Sequence, residues 1–209
     1  MSEEKITKET LIEAFKCGTD YLSMDPETQL SNASSELKND REIMLAAVDY
    51  HGWLYEYASD ELKSDKELAL KALGQRKKNL EKYGRYTEWG DEEEEYTFLC
   101  KHFDKSLWKE AEIVRVTLEL YGVYFIDKNL IHESLLKDKE FIISLFNIDW
   151  AGRWLGDECY YMAHPSVRKD KEIAMKLLDY GPATLGYFDE EILQEKEVVL
   201  KVLSENSYY

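Results

Sequence analysis

The sequence predicts an all-α fold of stacked helical-hairpin repeats, arranged as a short α-solenoid or a compact helical array. Three observations predict it. A nine-residue block with Glu at its third position occurs seven times, its apolar residues follow helical spacing, and all ten Gly and all three Pro lie outside the blocks. Because a repeated block is first of all a packing unit, the repeat indicates architecture before it indicates chemistry.

Each block predicts the start of a helix. Positions four, five, six, eight and nine of a block are mainly apolar, which places them on one broad stripe of a helix. An Asp at position one can accept hydrogen bonds from the first free amides, and a Glu at position three favours the positive end of the helix dipole. The recurring glutamates are therefore interpreted as helix-start residues and not as metal or acid/base ligands. They are Glu9, Glu42, Glu67, Glu112, Glu140, Glu172 and Glu197.

The shortest repeating unit is clearest at residues 40–64. After its block we expect a turn and a shorter second helix over residues 52–59, with counterparts at 122–125 and 186–188. The residues of this second helix that follow helical spacing are Trp53, Leu54, Tyr57 and Ala58. A unit of this size corresponds to one helical hairpin.

The blocks are unequally spaced along one predicted domain, residues 1–209. Units start near residues 7, 40, 65, 110, 138, 170 and 195, so the anchoring glutamates are 33, 25, 45, 28, 32 and 25 residues apart. The longest interval predicts an insertion at about residues 83–109. Insertions in repeat arrays commonly form loops on one face, which makes this segment the first place to look for a site.

Residues 40–73 resemble a tandem helical repeat family of unknown function, whose units open with Asp-Lys/Arg-Glu-Ile/Val. Residues 138–146 and 170–203 fit this pattern more loosely, and the block at 110–118 departs from it with Ala111 at the Lys/Arg position. The resemblance implies helical repeats and supplies no activity, substrate or catalytic residue. The matching residues are Asp40, Arg41, Glu42, Ala47, Val48, Gly52, Leu54, Tyr57, Ala58, Ser59, Leu62, Asp65, Lys66 and Glu67.

Composition excludes several classes of function. The formal net charge of -16 disfavours direct binding to nucleic acid or to an anionic membrane surface. Three widely spaced cysteines, Cys17, Cys100 and Cys159, are typical of reduced thiols. The sequence contains no apolar leader and no stretch long enough to span a membrane, so we expect a cytoplasmic protein.

The insertion contains the first candidate site. Its aromatic and acidic residues predict a contact surface for another protein, and the acidic residues favour a partner with a basic surface. The alternative is an extra hairpin, in which the acidic run caps a helix that carries Tyr96, Leu99 and Phe103. The candidate partner-binding residues of this segment are Tyr86, Trp89, Asp91, Glu92, Glu93, Glu94 and Glu95.

A second candidate lies in residues 149–166, where Trp150 and Trp154 stand close to Tyr160 and Tyr161. An exposed cluster of this kind would hold a partner peptide, with both tryptophans as partner-binding residues. The alternative is that these aromatics fill the space between stacked helices. Exposure to solvent separates the two interpretations.

No motif of comparable strength indicates catalysis, a cofactor or a metal. Phosphate-binding, dinucleotide-binding and nucleophile-elbow glycine motifs are absent. The pairs Cys100/His102 and Cys159/His164 would form a metal site only with distant residues, and His51 and His132 are interpreted as ordinary histidines near helix ends. We therefore predict a non-enzymatic protein-protein interaction module. The alternative is an acidic inhibitor, or nucleic-acid mimic, that blocks a basic groove of its partner.

Overall fold

The structure, a computed structural model, describes residues 6–17, 25–83, 99–123, 126–150, 153–180 and 188–206. Helices dominate these ranges, and the strands among them are two residues long, Asp149–Trp150 and Arg153–Trp154, paired antiparallel. The predicted all-α class is confirmed. Within these ranges no helix is both long and apolar enough to cross a membrane.

The chain forms two compact units, Met1–Leu107 and Trp108–Tyr209. The first contains α1 (Lys8–Cys17), α2 (Pro26–Ser31), α3 (Ser35–Lys38), α4 (Arg41–Tyr50) and α5 (Lys66–Tyr83), with 3₁₀ helices at Gly52–Tyr57 and Leu62–Ser64. A further 3₁₀ helix, Lys105–Lys109, spans the boundary. The second contains α6 (Ala111–Tyr121), α7 (Glu133–Leu136), α8 (Lys139–Ser144), α9 (Gly156–Met162), α10 (Pro165–Arg168), α11 (Lys171–Tyr180), α12 (Glu190–Leu193) and α13 (Lys196–Asn206). A single domain over residues 1–209 stays a prediction.

Every block opens a helix at its second residue, which confirms the predicted helix starts. The helices concerned are α1, α4, α5, α6, α8, α11 and α13, and each carries the recurring glutamate in its first turn. The Asp40 carboxylate accepts hydrogen bonds from the amides of Glu42 and Ile43, and Asp138 accepts one from Phe141. These are the caps that the aspartates predict.

The apolar stripe of the blocks forms the core. In α4, positions four, five, eight and nine are fully buried, whereas position six is half-buried. The buried residues of α4 at these positions are Ile43, Met44, Ala47 and Val48. In α11 they are Ile173, Ala174, Leu177 and Leu178. The same four positions are therefore used in both compact units.

A short helical turn precedes each block after the first, and we call it the capped turn because in five of the six cases a side chain at its start accepts an amide hydrogen bond. It carries an apolar residue three positions before the first residue of the next block, and this residue is buried in most of the turns. The buried members are Leu62, Leu107, Leu135, Val167 and Ile192. Sequence reasoning overlooked this second recurring element, although the constant spacing is visible in the sequence.

Backbone hydrogen bonds join successive capped turns. The amide of the first residue of one turn donates to the carbonyl oxygen at the end of the preceding turn, at N to O distances between 2.9 and 3.2 Å. These bonds join Ser59 to Lys38, Asp104 to Lys63, His132 to Trp108, and His164 to Leu136. Because such bonds satisfy backbone groups between elements distant in sequence, they hold neighbouring turns in register.

Ion pairs join successive blocks, and we call them the inter-block ion pairs. The Arg41 guanidinium, at position two of its block, contacts Asp65 at 2.6 Å and also Glu67, which are positions one and three of the next block. Contacts of the same kind join Lys8 to Asp40 and Glu42, Lys139 to Asp170, and Lys171 to Glu195 and Glu197. In the second, third, sixth and seventh blocks, recurring carboxylates thus start a helix and also receive the cation of the preceding block.

The predicted second helix of residues 52–59 is wrong in type. The structure forms a 3₁₀ helix there, Gly52–Tyr57, in which Tyr55 is fully buried and Tyr57 is half-buried. With three residues per turn, Tyr55 and Ala58 lie on the same side, so the α-helical spacing used for the prediction selected the wrong tyrosine. Gly74, which follows the third block, lies inside α5, so this helix continues beyond its block.

Candidate functional site

The structure describes only part of the two candidate sites that the sequence predicts. Tyr86, Trp89 and the acidic run 91–95 lie outside the described residues. Trp150 and Trp154 belong to the antiparallel strand pair, where Asp149 is opposite Trp154, and their side chains are outside the description. The assignment of these residues to partner binding therefore stays a prediction.

The aromatic segment 149–166 separates into core and surface at two adjacent tyrosines of α9. Tyr160 is fully buried, and its hydroxyl donates a 2.5 Å hydrogen bond to the carbonyl of Arg168. Its ring packs edge-on against Phe188, with a centroid distance of 5.6 Å. Burial raises the pKa of the Tyr160 hydroxyl, which keeps it a hydrogen-bond donor. Core packing is therefore the correct interpretation for Tyr160.

Tyr161 points the other way, because consecutive residues of a helix are about 100° apart. Its side chain is 54% exposed, with the Arg168 guanidinium 5.2 Å and the Lys128 ammonium 5.9 Å from the ring centroid. Both cations are within the range of a cation-π contact. Leu130, in the same turn as Lys128, is 43% exposed. We call Tyr161, Lys128, Arg168 and Leu130 the Tyr161 surface.

The two residues before Cys159 form a pair of neighbouring carboxylates at the start of α9. Burial and then the neighbouring Glu158 carboxyl raise the pKa of Asp157 to about 6. Glu158 is itself buried, and the Asp157 carboxylate accepts a hydrogen bond from its amide at 2.9 Å. A carboxyl with this pKa exchanges protons near neutral pH. In sequence it is one acid among many, so only burial distinguishes it.

The cysteine and histidine pairs do not assemble a reactive centre in the part of the chain described here. Burial raises the pKa of Cys100 and of Cys159 to about 12, so both thiols stay protonated and are poor nucleophiles. His164 caps α10 by accepting the Ser166 amide at 3.2 Å, and His132 caps α7 in the same way. Among the described residues, no three potential metal ligands lie together.

An open groove with a volume of about 560 Å³ runs along one face of α1. Two ammonium groups and two carboxylates of α1 line it, Lys8, Glu9, Glu13 and Lys16, and Glu42 of α4 adds a further carboxylate. Small-molecule pockets are typically enclosed and mostly apolar, with few polar groups. This groove is therefore a part of the charged surface beside the first inter-block ion pair.

Comparison with known proteins finds one family model, described as a domain of unknown function, DUF4116, which matches residues 15–57 and 40–85. The two overlapping segments cover about one third of the chain and include the run 40–73 on which the sequence resemblance rests. No curated protein and no solved structure matches the chain. The match agrees with an unknown-function family and transfers no activity.

Proposed function

We propose that this protein is a non-enzymatic protein-protein interaction module built from helical repeats. The observation that carries the proposal is the exposed Tyr161 ring, held beside Arg168 and Lys128 while its neighbour Tyr160 is in the core. Tyrosine and arginine are enriched among the residues that contribute most to protein-protein binding. A large aromatic side chain with more than half of its surface exposed offers area for such a contact.

The repeat architecture in this proposal is supported by three recurring features. Helix starts, backbone bonds between capped turns and inter-block ion pairs all recur with the blocks. The two family matches begin 25 residues apart, which is the separation of Asp40 and Asp65. Stacked repeats bury a core between neighbours and leave extended surfaces for binding.

The chemistry of the Tyr161 surface favours a partner segment that combines an apolar side chain with a carboxylate. The ring and Leu130 offer apolar area, and Lys128 and Arg168 offer positive charge on a chain whose net charge is -16. The acidic segment around Trp89 remains part of the proposal, as a contact for a basic partner. The two surfaces therefore select partners of opposite charge.

A quantitative pulldown from the native host tests the proposal. We expect proteins retained by the wild type to be lost with Tyr161→Ala and kept with Tyr50→Ala, a control tyrosine that is 38% exposed. Circular dichroism of both variants reports whether the fold is intact. Retention of the same proteins by Tyr161→Ala would remove the Tyr161 surface from the proposal. If no protein is retained by the wild type, the interaction function itself fails.

The second candidate is an acidic inhibitor that occupies a basic groove of its partner. It is favoured by recurring exposed carboxylates: Glu42 and Glu67 are each 71% exposed, and Glu197 is 68% exposed. Their inter-block ion pairs reduce the free charge that they offer, which is why this function ranks second. Competition with DNA or RNA for a basic partner tests it. Charge reversal of residues 92–95 that leaves inhibition unchanged would exclude that run as the site.

A further inference from the structure

The helix of the seventh block, α13, exposes a side that the other block helices bury. Its positions four and eight, Val198 and Val202, are buried, but position six, Leu200, is 53% exposed and position nine, Leu203, is 61% exposed. In each of the other six blocks the residue at position nine is buried. These residues are Phe15, Val48, Leu73, Leu118, Phe146 and Leu178.

The buried positions identify the two sides of a block helix. α13 packs against α11, the helix of the preceding block, and against α12. Since positions four and eight remain buried in α13, they lie on the side of these preceding elements. Position nine is therefore on the side where the helix of a following block packs, as α5 packs against α4.

Charge marks the same side of α13. Lys196 is at position two, from which Lys8, Arg41, Lys139 and Lys171 reach the carboxylates of the next block. Its side chain is exposed, and the ion pairs of the described residues do not include it. Lys196, Leu200 and Leu203 together form what we call the α13 face. A cation beside two exposed leucines is the arrangement that a following block would cover.

We propose that the α13 face binds an amphipathic helix of a partner protein, one that opens with carboxylates at its first and third positions and has apolar residues at its fourth and eighth. Charge complementarity is the reason for an acidic start. In the inter-block ion pairs, the cation at position two of one block contacts carboxylates at position one or three of the next, and Lys196 is at that position two. The apolar positions cover Leu200 and Leu203. This interaction is independent of the Tyr161 surface and follows the mode of a helix laid on an apolar face.

A second copy of the chain fits the α13 face poorly. Its first block has the neutral Thr7 at position one, where an inter-block ion pair needs a carboxylate. Position four is Thr10, whose hydroxyl donates to the Thr7 carbonyl at 3.0 Å and offers little apolar surface. Two copies with a net charge of -16 each also repel one another. A helix with carboxylates at its start therefore fits the α13 face better than the first block of a second copy does.

The probe is a fluorescent peptide with the sequence of residues 65–83, the helix whose Asp65 and Glu67 already receive Arg41. Fluorescence anisotropy measures its binding to the full chain. Lys196→Glu removes the ion pair with the acidic start of the peptide and replaces it with repulsion. We therefore expect the peptide to bind this variant roughly five-fold more weakly than the wild type. Lys176→Glu, an exposed lysine of α11 outside the α13 face, makes the same change of charge and should bind like the wild type.

The charge of the peptide separates specific from non-specific binding. It carries six basic and three acidic residues, so general attraction would strengthen with Lys196→Glu, opposite to the prediction. A peptide with Asp65→Asn and Glu67→Gln should bind the wild type more weakly, and Glu81→Gln should have no effect. Leu203→Gln should weaken binding without altering the circular dichroism spectrum, because Leu203 is mostly exposed.

Three results would overturn the proposal. The first is equal binding to wild type and Lys196→Glu, and the second is no binding up to about 1 mM peptide, which corresponds to roughly 4 kcal/mol. The third is self-association through this face. In ultracentrifugation the wild-type mass would rise with protein concentration, whereas Lys196→Glu would remain a monomer, because a second copy would then cover the α13 face of the wild type. A monomer that binds the peptide through Lys196 supports the proposal.

Discussion

Replacing Gly52 by alanine tests how closely the 3₁₀ helix Gly52–Tyr57 approaches α5. A Cβ atom at Gly52 would lie 2.6 Å from the carbonyl oxygen of Ala72, whereas ordinary contacts begin at 3.4 Å. The methyl group and the α5 backbone would therefore have to separate by about 0.8 Å, and this backbone is fixed in a helix with Ala72 fully buried. Overpacking of this kind costs about 1–3 kcal/mol of the free energy of unfolding.

Gly74 supplies the matched control, because it lies in α5 two residues beyond Ala72. A Cβ atom there would meet nothing within 4 Å. Gly74→Ala should therefore stabilise the protein by about 0.5–1 kcal/mol, since alanine loses less backbone entropy in a helix than glycine does. The same chemical change at two positions of one compact unit is expected to have opposite signs.

Urea unfolding of the full chain, followed by circular dichroism, measures both effects. With a slope of about 2 kcal/mol per molar urea, Gly52→Ala should lower the midpoint by roughly 0.5–1.5 M, and Gly74→Ala should raise it by a few tenths molar. If the two units unfold separately, only the transition of residues 1–107 should move. A Gly52→Ala protein as stable as the wild type would refute the argument from the Ala72 contact.

Three further predictions concern the second unit. Ala111→Lys should add an inter-block ion pair to Asp138 and raise the free energy of unfolding by about 0.2–1 kcal/mol in low salt, measured by urea unfolding. The wild type should lose stability between about pH 4 and pH 6, because the folded protein holds the Asp157 proton more tightly than the unfolded chain does, and this advantage is lost as the pH rises through about 6. Asp157→Asn should not show this loss. Tyr160→Phe should cost about 0.5–1.5 kcal/mol in thermal or urea unfolding, since it deletes the buried hydrogen bond of its hydroxyl.

Each of these has an outcome that contradicts it. A gain from Ala111→Lys that persists unchanged in about 1 M salt is not electrostatic. For Asp157→Asn, the difference in stability from wild type must be larger at pH 7 than at pH 4, and parallel pH profiles would disprove the assigned pKa. An unchanged stability of Tyr160→Phe would show that its hydroxyl contributes nothing net.

The helix starts could be read from the sequence because their causes are local. An Asp cap, a Glu in the first turn and an apolar stripe all lie within nine residues, so Asp40 and Asp138 were recognised without knowledge of their neighbours. The prediction for the second helix of the unit, residues 52–59, was wrong for a local reason too. A 3₁₀ helix has a different period, and the sequence of residues 52–57 contains no feature that distinguishes it from an α-helix.

The candidate sites were predictable only to the level of a segment. Aromatic enrichment identified residues 149–166, but the separate roles of Tyr160 and Tyr161 depend on how α9 is turned toward the core. The α13 face was missed because its leucines are at block positions that are mainly apolar in the other blocks too, and position nine is buried there. The sites expected at Trp89, Trp150 and Trp154 stay predictions.

By itself, the sequence determined the helical class, the helix starts, the caps and the buried stripe, because each follows from residues within two or three turns of one another. The tertiary structure alone decided which charges meet. Arg41 is 24 residues from Asp65 and 26 from Glu67. The ion pairs that these block-start residues form with the neighbouring block therefore exist only when neighbouring helices pack. It likewise decided that Leu203 stays in solvent where its equivalents are buried, since burial depends on which helix lies alongside.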